Sequence, residues 1–92
     1  MSRNAIDRPS MKAGLQVEQT EEGALVEDHS RGRIHYLNPT AAYALSLCDG
    51  HNSPERIVEL IKSNFALSDP PNILVEEILQ QFAQEGLITM MP

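Results

Sequence analysis

Apolar and polar positions alternate through the first half of this chain and recur at helical spacing through the second. Leu15 and Val17 are separated by Gln16 and followed by Glu18, and after a Glu21-Glu22-Gly23 turn Ala24-Leu25-Val26 runs into Glu27 and Asp28. Period-two patterning with a turn between predicts a β-hairpin. A second turn, His29-Ser30-Arg31-Gly32, leads to a third predicted strand from Arg33 to Leu37. In that strand Ile34 and Tyr36 share one face, and Arg33, His35 and Leu37 share the other.

The third strand meets a helix with no linker between them. Asn38 is a good N-cap, and Pro39 suits the first helical position, where its missing N–H costs nothing. Ala41, Ala44, Leu45 and Cys48 then recur at helical spacing, and Gly50 is the expected stop. Ser53-Pro54 starts a second helix with Ile57, Val58, Ile61 and Phe65 as its buried stripe. Ser68-Asp69-Pro70-Pro71 interrupts the pattern, because residues before proline are steered away from helix. A third helix is predicted over about 71 to 85, with Leu74, Val75, Ile78, Leu79 and Phe82 on one face and Gly86 at its end. Leu87-Ile88-Thr89-Met90 is apolar enough to pack back on the core, as a short strand or as the contact that follows a glycine stop.

Residues 1 to 12 are polar, unpatterned and interrupted by Pro9, which predicts a flexible N-terminal tail ahead of a single domain over 13–92. Three strands, three helices and a short apolar end predict an α+β fold. It is winged helix-turn-helix-like, a three-stranded antiparallel sheet followed by three helices. A chain of 92 residues has room for one modest core, since a domain near this size buries roughly 60 to 65% of the surface its unfolded chain exposes.

Winged helices suggest DNA, but the charges here point elsewhere. Thirteen acidic against seven basic residues give a formal charge of −6, which repels a phosphate backbone. The predicted third helix carries no Lys or Arg, whereas reading a duplex requires donors on the recognition element. No nucleic acid is therefore expected as a partner. Catalysis and metal binding are equally disfavoured: Cys48 falls on an apolar stripe, and Cys48, His51, His29 and His35 show no ligand spacing. Glu76 and Glu77 point about 100° apart on a helix, as on a solvated face. Neither an enzyme nor a cofactor is expected. The single cysteine and the lack of a long apolar run predict a cytoplasmic protein with no membrane partner.

Binding remains. An edge strand at Arg33–Leu37 would leave N–H and C=O groups vacant for a partner peptide, beside a wall drawn from Val75, Leu79 and Phe82. The bland alternative is that Arg31, Arg33 and His35 merely guard the edge against aggregation. Positive charge gathers at Arg31 and Arg33, so an acidic peptide is the expected visitor. The same exposed edge is compatible with a homodimer.

Leu37-Asn38-Pro39-Thr40-Ala41-Ala42, then Leu47-Cys48-Asp49-Gly50, Ile57-Val58, and a Phe82 helix ending in Glu85-Gly86-Leu87-Ile88 together resemble the PqqD family. Its members are recognition elements for ribosomally made precursor peptides. The resemblance covers about residues 15 to 90 and implies a non-catalytic adaptor. Such an adaptor binds the leader of a precursor peptide as an added strand and presents it to a modifying enzyme, commonly a radical S-adenosylmethionine (radical SAM) protein, in natural-product or PQQ-like cofactor biosynthesis. Carried over by position, the docking strand is Arg33, Ile34, His35, Tyr36 and Leu37, and the helix wall comes from Val75, Ile78, Leu79 and Phe82. The segment from Leu25 to Gly32 lacks the aromatic, proline-containing run of members that make pyrroloquinoline quinone itself, so the peptide product stays open. The alternative is a winged-helix regulator acting through protein or DNA contacts.

Overall fold

The computed structural model describes residues 8–65 and 71–91. Its elements, in chain order, are β1 (Arg8–Met11), β2 (Leu15–Thr20), β3 (Gly23–Asp28), β4 (Arg33–Leu37), α1 (Pro39–Ser46), α2 (Pro54–Asn64), α3 (Pro71–Gln84) and β5 (Ile88–Met91). Strands β2, β3 and β4 form the expected antiparallel meander, in that spatial order. The three predicted helices follow in sequence.

Register explains which face the sheet buries. Val17, Val26 and His35 lie opposite one another across the three strands, as do Gln19, Ala24 and Leu37. Directly opposed residues share a face, and buried Ala24 and Val26 identify it as the inner one. His35 and Leu37 therefore turn inward. Ile34 and Tyr36 turn outward, 54% and 79% exposed, the reverse of what their polarity suggests. Gly23 makes the tight start of β3 possible: its φ is +140°, and a Cβ there would meet the Leu37 carbonyl.

The starts of α1 and α2 match their sequence signals. Asn38 Oδ1 accepts from the Ala41 amide at 2.8 Å, Ser53 Oγ accepts from the Arg56 amide at 3.1 Å, and Pro39 and Pro54 occupy the first turns. Helix α1 ends at Ser46 with Leu47 as its cap, two residues short of the end expected near Cys48, and Asp49 beyond it forms a β-bridge with Ser10. The Gly86 stop holds: the Leu87 amide donates to Phe82 C=O at 2.9 Å and the Gly86 amide to Ala83 C=O at 3.1 Å, closing α3 in a Schellman motif. Residues Ser68 to Pro70 lie outside the described residues.

The expectation of a tail through Lys12 is corrected over residues 8 to 11. They form β1, paired antiparallel with β5, and Pro9 is among the fully buried side chains. The Met11 amide donates to Cys48 C=O, the Lys12 amide to Leu87 C=O, and the Gly50 amide to Pro9 C=O, at 2.8, 2.9 and 3.0 Å. These partners lie far apart along the chain, from Pro9 and Gly50 to Lys12 and Leu87, so local patterning carries no trace of them. Residues 1 to 7 lie outside the described residues. One core joins Val26 of the sheet to Ala44, Leu45 and Cys48 of the α1 region, Ile57 and Ile61 of α2, Val75, Leu79 and Phe82 of α3, and Leu87 and Ile88. Among the described residues no helix is long and apolar enough to cross a membrane.

Candidate peptide-binding groove

Strand β4 has β3 on one side and, among the described residues, no strand on the other. Alternate amides and carbonyls along its five residues therefore point away from the sheet. Helix α3 lies across that open side, and between them runs a groove of about 600 Å³. The two elements run in opposite directions: the end of α3 meets the start of β4, where Glu85 approaches Arg33 and His35.

Ile34, His35, Tyr36 and Leu37 form the strand wall, which continues into Asn38. The helix wall is built from two rows. Leu74, Ile78 and Phe82 recur every four residues and are apolar; Glu77, Gln81 and Glu85 recur at the same interval and are polar. Ala41 and Leu87 complete the lining. The groove thus offers vacant backbone polar groups along one wall and an apolar seat with a polar rim along the other.

The residues expected to dock a peptide separate into three groups. Ile34, His35, Tyr36, Leu37, Ile78 and Phe82 line the groove, while Arg33 stands at its mouth, 3.9 Å from Glu85. Val75 and Leu79 do not reach it. They are buried on the other side of α3 and line a cleft against Pro54 and Val58 of α2. The helical period explains this, because positions 75 and 79 lie about 100° round the axis from 74 and 78. Leu74 belongs to the predicted apolar face but not to the expected docking residues, nor do Glu77, Gln81 and Glu85, whose signal is the four-residue polar recurrence beside that face.

The electrostatics of the mouth differ from the expected basic patch. Both arginines have acceptors inside the chain: Arg31 reaches Asp28 Oδ2 at 4.0 Å and the Glu85 carbonyl at 3.3 Å, and Arg33 pairs with Glu85. His35 Nδ1 lies 3.5 Å from the same Glu85 carboxylate, while its Nε2 is buried with no protein partner. Asp28 anchors the turn that presents these cations. The Ser30 hydroxyl donates to it at 2.8 Å, and that bond, aided by Arg31, holds its carboxyl below the usual range.

Cys48 is far from reactive. Burial, reinforced by the nearby Asp49 charge, pushes its thiol up to about 12, and it donates to Ala44 C=O at 3.2 Å. A thiol with that value stays protonated, and so non-nucleophilic, at neutral pH.

Comparison with known proteins agrees with the geometry. A family model described as coenzyme PQQ synthesis protein D (PqqD) matches residues 22–88. Among solved structures, a lasso peptide synthetase B1 complexed with its leader peptide superposes with a TM-score of 0.75 at 18% identity, covering 89% of this chain and 98% of that one. TbiB1 in complex with the TbiA(beta) leader peptide gives 0.74 at 16% identity, covering 86% and 93%. At these identities the likeness is one of fold. A comparison with curated protein sequences returns no match.

Proposed function

The chain belongs to the coenzyme PQQ synthesis protein D family, and from that membership together with the open β4 edge we propose that it is a non-catalytic adaptor for a precursor-peptide leader. The leader adds to the meander as a fourth strand beside β4. Its main-chain groups bond to the vacant amides and carbonyls of Arg33 to Leu37, and its alternate side chains enter the groove over Leu37, Ile78 and Phe82. The two fold relatives whose structures hold leader peptides support this reading. A peptide-modifying enzyme is the natural recipient, and the family resemblance implies one of the radical SAM type. The buried lone cysteine suits a reducing cytoplasm.

The single observation that carries the reading is the unpaired side of β4 facing an apolar helix row. Its test is a nitrogen-labelled spectrum titrated with the precursor peptides encoded beside the protein and, separately, with duplex DNA. Saturable shifts along 33–37 with peptide are expected; shifts confined to α3 with duplex would replace the adaptor by a regulator. Strand addition is checked by Ile34→Pro and His35→Pro. Backbone direction alternates, so one of these removes an amide that points away from β3 and is tolerated at an edge. That variant is expected to stay folded and lose peptide binding.

A further inference from the structure

Charge in the groove is distributed unevenly, and this bears on what the groove selects. Two carboxylates line it, Glu77 and Glu85, and among the described residues no Lys or Arg side chain does. Glu85 is matched by Arg33 and His35. Glu77 is exposed and, among the described residues, forms no hydrogen bond or ion pair. Glu85, just past the end of α3, follows Glu77 by eight positions, about 12 Å along the helix axis. That distance spans about three alternate positions of an extended peptide, which fall ~6.6 Å apart. A docked strand would thus place one side chain near the Arg33–His35–Glu85 cluster, one on the apolar seat of Leu37, Ile78 and Phe82, and one over Glu77.

Resting on the strand-addition reading, we propose that the groove selects peptides carrying a lysine or arginine over Glu77, two residues from the apolar side chain on that seat. The chain's formal charge of −6 favours the approach of such a peptide. An acidic visitor meets an unpaired carboxylate at one end and, at the other, cations that already have partners. The pull expected from Arg31 and Arg33 is thereby partly offset by Asp28 and Glu85.

The test uses nine-residue synthetic peptides of one sequence, with a central leucine and Lys, Gln or Glu at both positions two residues away. One variable residue then falls over Glu77 whichever way the strand runs. At about 0.15 M salt, where long-range attraction is screened, affinity for the native protein is expected to fall in the order Lys, Gln, Glu. The whole range should be roughly two- to fivefold, as for a partly exposed ion pair.

Glu77→Lys should reverse that order. Glu76→Lys makes the same change in net charge on the neighbouring helix position, which lines the α2–α3 cleft instead, and should preserve it. Equal effects of the two variants would reduce the preference to whole-molecule charge and overturn the proposal, as would an unchanged order in Glu77→Lys. If no peptide shifts the 33–37 amides, the strand-addition reading fails and takes this one with it. If those amides instead shift on concentrating the protein alone, the occupant is a second copy and the proposal is overturned.

Discussion

Asp28 is 4% exposed at the end of β3 and accepts a hydrogen bond from the Ser30 hydroxyl. Its carboxyl lies below the ordinary value, so the native state favours the ionised form. The stability this confers is complete above the unfolded value of about 4 and is lost as pH falls through the lowered folded value. Denaturation of the native protein and of Asp28→Asn should therefore show a stability gap at pH 7 that closes as pH falls below about 4. A gap independent of pH would assign the residue a purely steric role. His35 shows a different kind of single-residue adjustment: an inward-facing polar side chain that sets one nitrogen 3.5 Å from the Glu85 carboxylate and leaves the other buried without a protein partner.

Among the elements, β4 depends on how β3 begins. Gly23 pairs with Thr20 across the hairpin and sits against the Leu37 carbonyl, at a φ that disfavours a side chain. Replacing it with Ala would force backbone against backbone where the docking strand passes into α1. The expected cost is about 3 kcal/mol or more, measured by urea denaturation, with loss of peptide binding accompanying loss of fold. Helix α3 serves two masters by its period. One face gives Val75 and Leu79 to the core, the next gives Leu74 and Ile78 to the groove, and Phe82 belongs to both. The Schellman stop at Gly86 then returns the chain so that Leu87 and Ile88 join the same core.

For the molecule as a whole, β1 and β5 form a second, two-stranded sheet that ties the start of the described chain to its end. Three backbone bonds anchor this strap to the Cys48–Gly50 loop and to Leu87, and Pro9 is buried beneath it. Removing residues 1–12 is expected to lower stability by at least about 3 kcal/mol, near 1 kcal/mol for each anchoring bond, with the β1–β5 pairing and the burial of Pro9 lost in addition. The β2–β3–β4 sheet and its groove should survive. A thermal melt and a peptide titration on the shortened chain would check both halves of that expectation.

Local pattern was sufficient for the meander, for the helix starts at Asn38 and Ser53 and for the stop at Gly86, because alternation, caps and glycine conformations act over a few residues. The resemblance likewise rested on short runs such as Leu47-Cys48-Asp49-Gly50. Pairing between Arg8–Met11 and Ile88–Met91 was invisible to such signals, since it joins segments some eighty residues apart. Sequence parity put Ile34 and Tyr36 opposite His35 and Leu37, but only packing against the helices decided that the histidine faces in and the tyrosine out. The same holds for charge: Arg31 and Arg33 read as a free basic patch until the end of α3 brings Glu85 against them. Which side chains a residue meets across space is set by the assembly of elements, and the character of this groove lies in those meetings.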